Sequence, residues 1–442
     1  MPEISYESNN WGERLMSLTL AFVGLSFIGI LVLGNYYDQP ITQALSFTVQ
    51  DNERFDSGLG LHSFGDYQEI RYALPTEQYP NVWINSKFAY PPTALIPNYF
   101  AKLIQIEFGV QISLYVYLFA LICCLSVPAL YAARTIETTT GKILTLLLLT
   151  IFAQPVIMTF DRGNSVAFAL PFIFFFALNF LRQRIYLASL FLVSATAIRP
   201  QFILLGLAFL ITRRTKAIMA STISSISIFF VSFLFMPGPY STNIQSWYSN
   251  LRNFATGSRM NSIFPANLSL STSFGGLISP AWYSKLMVAL LIFIILVFFI
   301  FRTSGDRPRV LIVSLSLPTL IPEITYGYYS NFVIIIATLI IINPTFLDHL
   351  KDVPLNKVTR VHNGLNNCYN YLLIMVIAIS LAPIPFVNQL GRNSIVLESF
   401  SSIWFVVLIA TLCMQFSTWW ILKLNSKSLL QPTLIAETGR RD

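Results

Sequence analysis

Residues 143–181 read ILTLLLLTIFAQPVIMTFDRGNSVAFALPFIFFFALNFL. The run is too long for a single membrane crossing, which takes about 20 residues at 1.5 Å rise through a hydrocarbon core of roughly 30 Å. Asp161, Arg162, Gly163 and Asn164 interrupt it near the middle. Ionisable groups inside a bilayer are costly, so such an interruption marks either a broken helix or a hairpin whose polar tip reaches one surface. Flanking charge decides between them. Arg134 and Lys142 precede the run, and Arg182 and Arg184 follow it. Clustered Lys and Arg mark cytoplasmic ends, so both ends lie inside and the tip faces out.

The same pattern recurs in the residues that follow. Ile185 to Thr212 is broken at Arg199-Pro200-Gln201 and followed by Arg213, Arg214 and Lys216. Val310 to Asn343 is broken at 322–329, PEITYGYY, and preceded by Arg302, Arg307 and Arg309. Both read as outward-pointing hairpins. The arms of the second are short, and at 1.5 Å per residue they reach only roughly 20 Å.

Composition agrees with this reading: 55% of residues are hydrophobic, 14% aromatic and 11% charged. The net charge of +8 sits in short clusters between apolar runs, where it orients helices, and so does not point to nucleic acid. The further spans are Leu15 to Leu33, Gln111 to Ala133, Ala217 to Met236, Tyr283 to Phe301, Cys368 to Pro385 and Ile395 to Leu422. The first is too long for a signal-peptide core and lacks an A-x-A cleavage site, so it is expected to stay as a helix. The fold class is an all-α integral membrane protein, one polytopic domain over residues 1–442, with about twelve helices and cytoplasmic termini. Outside the membrane lie a first exoplasmic loop at 35–110, a second at 237–281 and a cytoplasmic tail at 423–442. The loop Thr345 to Asn367, with His349 and His362, reads as an inner connector.

The first loop holds the wettest stretch, Ser63 to Phe100, with acids at Asp66, Glu69 and Glu77. Within it Tyr90-Pro91-Pro92 breaks the chain, and Thr93 to Phe108 reads as an amphipathic helix lying in the interface. Cys123, Cys124, Cys368 and Cys413 fall in apolar runs and form no disulfide framework. His62 has no second His or Cys beside it for a metal site. Neither a P-loop nor a G-x-G-x-x-G after a strand is present, so no nucleotide-binding unit is expected.

In order, Asp66-Tyr67 with Tyr72, Phe88-Ala89-Tyr90-Pro91-Pro92, Asp161-Arg162-Gly163-Asn164, Ile198-Arg199-Pro200 and Asn267-Leu268-Ser269-Leu270 resemble glycosyltransferase family 87. The resemblance spans roughly residues 10 to 345. It implies a GT-C-type membrane bundle with interfacial helices in its long first exoplasmic loop. The implied enzyme takes mannose or arabinofuranose from a polyprenyl-phosphate donor at the outer face of a bacterial plasma membrane. Its acceptor is an envelope glycan or glycolipid, and the transfer inverts the anomeric centre. By analogy with the family's first-loop aspartate, Asp66 is the catalytic base. Tyr67, Tyr90, Asn164, Asn267, Glu323, Tyr328 and Tyr329 are candidates for substrate contact. Arg199 stands where the family often has Lys, and Tyr328 and Tyr329 stand where it often has His.

The residue types suit this chemistry on their own terms. A departing lipid phosphate gathers negative charge, and a guanidinium fork can hold its oxygens without a metal; Arg162 and Arg199 are the candidates. An acceptor hydroxyl must lose its proton as it attacks, which a placed carboxylate assists. No cofactor and no metal are expected. Blander readings stand beside these. Asp66 with Glu69 fits a capping box, Arg162 fits a snorkelling anchor, Glu323 fits a cap, and the tyrosines fit an aromatic belt. A transporter or lipid flippase, whose sites also use broken helices, is the alternative function.

Overall fold

The computed structural model describes residues 10–36, 64, 66–67, 83, 90–256, 307–320, 330–343, 346–347, 359–388 and 394–398. The expected span Tyr283 to Phe301, the third hairpin's tip at 322–329, and the tail lie outside them. Helix α1, Trp11–Tyr36, is the expected first span. A 3-10 turn, Pro92–Leu95, leads into α2, Ile96–Phe108, and α3 follows as Val110–Ala133 after Gly109. The first hairpin comprises α4, Thr139–Leu149, α5, Gln154–Arg162, a 3-10 turn Ser165–Ala169, and α6, Leu170–Leu181. The second comprises α7, Ile185–Ile198, a 3-10 helix Pro200–Gly206, and α8, Leu207–Ile211.

Helix α9, Thr215–Ser232, is prolonged by a 3-10 turn, Phe233–Phe235. Then come α10, Tyr240–Thr256, α11, Arg307–Leu320, α12, Phe332–Ile342, and α13, Thr359–Leu381. Strands β1, Ile384–Asn388, and β2, Ser394–Glu398, close the described chain as an antiparallel pair with Ile384 opposite Glu398.

Three helices among the described residues are long and apolar enough to cross a membrane: Trp11–Tyr36, Val110–Ala133 and Thr215–Phe235. A fourth crossing results if α4 and α5, bent by 54° at their junction, form one span. The count of about twelve is therefore reached only if shorter elements also cross. The 3-10 segments bear on that question, because they rise about 2.0 Å per residue against 1.5 Å for α-helix. They bring the arm 165–181 to roughly 28 Å, whereas both arms of the second hairpin reach only roughly 21 Å. The second tip is thus sunk relative to a full crossing.

Two expectations at the end of the chain are corrected. Helix α13 begins at Thr359, inside the stretch read as an inner connector, and stops at Leu381 rather than Pro385. Pro383 and Pro385 supply no backbone N–H, so helix cannot continue through them. The span expected to start at Ile395 begins instead as strand β2, which its β-branched Ile395-Val396 pair favours. The described residues are otherwise helical, and this hairpin's Pro385 packs against Gly29 of α1.

Burial shows which helix faces are packed within the protein. Helix α12, FVIIIATLIII, is apolar all round and buried along Phe332–Ile340, as a central helix should be. It packs on α1, α3, α6 and α13. Helix α2 is inverted: Asn98 is buried, while Ile96, Phe100, Leu103, Ile106 and Phe108 are exposed. The helix thus carries an apolar outer stripe opposite a polar inner residue.

Candidate active site

The tip of the first hairpin is made by a helix C-terminus. Helix α5 ends at Arg162, and Gly163 turns the chain in the left-handed region at φ 61°, ψ 35°. Glycine adopts that conformation at little cost. It also has no room for a side chain, since a Cβ here would lie 3.0 Å from Cβ of Tyr67. The Tyr117 hydroxyl, from α3, donates to the Gly163 carbonyl at 3.0 Å.

The first loop is fastened to this turn. The Phe64 N–H donates to the Asp161 carbonyl at 2.8 Å, and the Phe64 ring meets Phe160 edge-on at 5.7 Å. Phe64 itself sits at φ 59°, an unfavourable conformation for a bulky side chain. Tyr67 is buried, with its ring 4.5 Å from that of Tyr117. Its hydroxyl lies 2.9 Å from the Ser113 hydroxyl. Ser113 spends its own proton on the Ala101 carbonyl, so Tyr67 is the donor between the two.

Between these anchors Asp66 is held at both oxygens. The Arg162 Nη2 donates to its Oδ1 at 2.8 Å, and the Asn164 Nδ2 donates to its Oδ2 at 2.5 Å. Asn164 is fully buried and works from both ends of its amide. Its Oδ1 accepts from the Val166 N–H at 2.9 Å, capping the following 3-10 turn, and from the Arg199 Nη2 at 2.9 Å. The same Arg199 nitrogen donates to the Ser165 hydroxyl at 3.2 Å.

Arg199 forms the second tip. It precedes Pro200, which drives it into an extended conformation, φ −138° and ψ 107°, and so ends α7. Its guanidinium carbon lies 4.0 Å from the centre of the Tyr90 ring. A cation over an aromatic face is attracted to it, by about 2 kcal/mol or more when water is excluded. The Thr93 hydroxyl donates to the Ala197 carbonyl, tying the 3-10 turn before α2 to the end of α7.

Six residues singled out in the sequence are thus brought into one connected set: Asp66, Tyr67, Tyr90, Arg162, Asn164 and Arg199. Asn267, Glu323, Tyr328 and Tyr329 lie outside the described residues. Asp66, Arg162 and Arg199 together carry one excess positive charge, which suits an anionic group. Sequence reading missed Tyr117, Ser113 and Ser165. Ser113 and Tyr117 are four residues apart on one face of an apolar helix, a pairing that signals an inward polar stripe. Among the described residues, no group of three or more His, Cys, Asp or Glu is placed to hold a metal.

The model of glycosyltransferase family 87 matches residues 88–321, more than half of the chain. No curated protein and no solved structure matches it. The match includes Tyr90, Arg162, Asn164 and Arg199, begins after Asp66 and ends before Glu323. The chain belongs to glycosyltransferase family 87 and is a membrane glycosyltransferase, which displaces the transporter reading.

Proposed function

We propose that this family 87 glycosyltransferase moves a sugar, mannose or arabinofuranose, from a polyprenyl-phosphate donor to an envelope glycan or glycolipid. The reaction takes place at the exoplasmic face of a bacterial plasma membrane. The observation that carries the proposal is the continuous link Asp66–Asn164–Arg199, which joins a carboxylate to a buried guanidinium through one amide.

In this reading the acceptor hydroxyl oxygen attacks the anomeric carbon as the bond from that carbon to the phosphate oxygen breaks. Attack from the face opposite the phosphate inverts the centre. The hydroxyl proton passes to Asp66, and the bonding pair leaves with the phosphate, whose growing charge is met by Arg199 and Arg162. Arg162 has two claimants in this scheme, the donor phosphate and the Asp66 carboxylate with which it pairs. Arrival of the phosphate draws Arg162 toward it and releases Oδ1 for the acceptor hydroxyl, while Asn164 keeps Oδ2 in place. Base and leaving-group contacts thereby become available in the same step. No nucleotide, metal or other cofactor enters this scheme; its partners are the bilayer, the lipid-linked sugar and the acceptor.

The purified protein in lipid nanodiscs is the material for the test. It is given polyprenyl-phosphate mannose, polyprenyl-phosphate arabinofuranose or nucleotide sugars, each with short envelope oligosaccharides, and product is detected by mass. Transfer from a polyprenyl-phosphate sugar is expected. Transfer from a nucleotide sugar and from neither lipid-linked donor would overturn the proposal.

A further inference from the structure

Tyr90 caps the Arg199 guanidinium, and its own placement depends on a residue seven positions earlier. The Tyr90–Pro91 peptide has no N–H, so the Tyr90 carbonyl is the polar handle this peptide offers. The indole Nε1–H of Trp83 donates to that carbonyl at 3.1 Å. Trp83 is in turn held on two sides. Its ring is buried with Leu95, Phe233 and Met236, its centre 5.2 Å from that of Phe233. Its carbonyl accepts from the Asn250 Nδ2, on α10, at 2.8 Å. Trp247, one turn before Asn250, packs on Phe229 at 4.9 Å and seats α10 on the end of α9.

We infer that Trp83 is a positioning residue for phosphate binding: held by Asn250 and the Phe233 pocket, it sets the Tyr90 ring over Arg199. The N–H groups of a guanidinium lie in its plane, so it meets a phosphate by its edge, and the Tyr90 ring covers one of its faces. A fixed ring therefore fixes the plane in which the fork presents its N–H groups. Trp83 touches neither the sugar nor the phosphate in this scheme. The inference rests on the assignment of Arg199 to the donor phosphate.

The experiment measures the affinity of farnesyl phosphate for the full chain in nanodiscs, which requires no sugar transfer. Trp83→Phe keeps an aromatic ring in the pocket but loses the N–H donor, and weakens binding about five-fold, the effect of one hydrogen bond. Asn250→Ala, a milder change, weakens it about two-fold in the same direction. In a Tyr90→Ala background, Trp83→Phe has no further effect on affinity, because the ring it positions is gone. A residue that merely supports the fold would cost the same factor in both backgrounds. Wild-type affinity in both Trp83→Phe and Asn250→Ala, or an undiminished loss in the Tyr90→Ala background, overturns the inference. Arg199→Ala separates the two levels. If it loses affinity while Trp83→Phe does not, only the positioning role fails. If Arg199→Ala binds as the wild type does, the phosphate assignment fails and takes the inference with it.

Discussion

The two hairpin tips each present an arginine, by different means and in different surroundings. Arg162 ends a helix that turns away through a left-handed glycine; its side chain is 25% exposed and paired with a carboxylate. Arg199 ends a helix that is stopped by the following proline; it is 5% exposed, under an aromatic ring, and hydrogen-bonds to the neutral Asn164 and Ser165. The difference assigns them distinct tasks. A partly exposed cation bound to an acid can change partners, whereas a buried cation held by neutral oxygens is oriented without being neutralised by them. Arg162 is suited to exchange and Arg199 to standing recognition.

The largest effect is expected at the residue that distinguishes the two. Asp66→Asn removes the negative charge that faces Arg162 while keeping nearly the same shape. The rate of sugar transfer should fall by about 10² to 10⁴, the usual worth of a general base. Affinity for a lipid phosphate should hold or tighten, since the Asp66 charge no longer competes for Arg162. Initial rates, thermal stability and lipid-phosphate affinity measured on the two proteins check this. Near-normal turnover in a stable Asp66→Asn protein would move the base to another residue.

The arginines themselves come next. Arg199→Ala should weaken lipid-phosphate binding about 10- to 100-fold, and Arg199→Lys should recover part of the loss, since charge is kept and the fork is not. Arg162→Gln should cost less, because in the wild type the phosphate must first displace Asp66. Titration of the three variants with the same lipid phosphate ranks them, and equal losses at both positions would erase the distinction.

The smallest effect concerns how the tips are built. Gly163→Ala places a β-carbon in a left-handed turn, at about 1 to 2 kcal/mol, and crowds Tyr67 besides. A lower unfolding temperature is expected, by a few degrees for a chain of this size. No such conformational demand exists at Arg199, whose extended backbone any residue adopts. An unchanged melting temperature in Gly163→Ala would show that the first turn tolerates another geometry.

Much of this site was legible beforehand, for identifiable reasons. Asp161 to Asn164 and Arg199-Pro200 interrupt apolar runs where polarity is expensive, so the breaks there follow from cost. Tyr90 was legible through the two prolines that follow it. What they make together was not. Asn164 reaching Asp66 with one end of its amide and Arg199 with the other depends on 3-10 segments after both tips, which hydropathy does not register. The 54° bend between α4 and α5 was missed too, although Gln154-Pro155 announces a helix start within the apolar run. Trp83 was not singled out, because nothing local shows that its indole meets a carbonyl seven residues on.

The apolar outer stripe of α2 also has a mechanical consequence. Phe100, Leu103 and Ile106 leave one side of this helix without packed neighbours, so its position is set from its other side and its ends. Its leading 3-10 turn is joined by Thr93 to the last turn of α7, and Tyr90 lies directly before that turn. Any shift of α2 is therefore passed to the Tyr90 ring, and through it to the guanidinium of Arg199 that the ring covers.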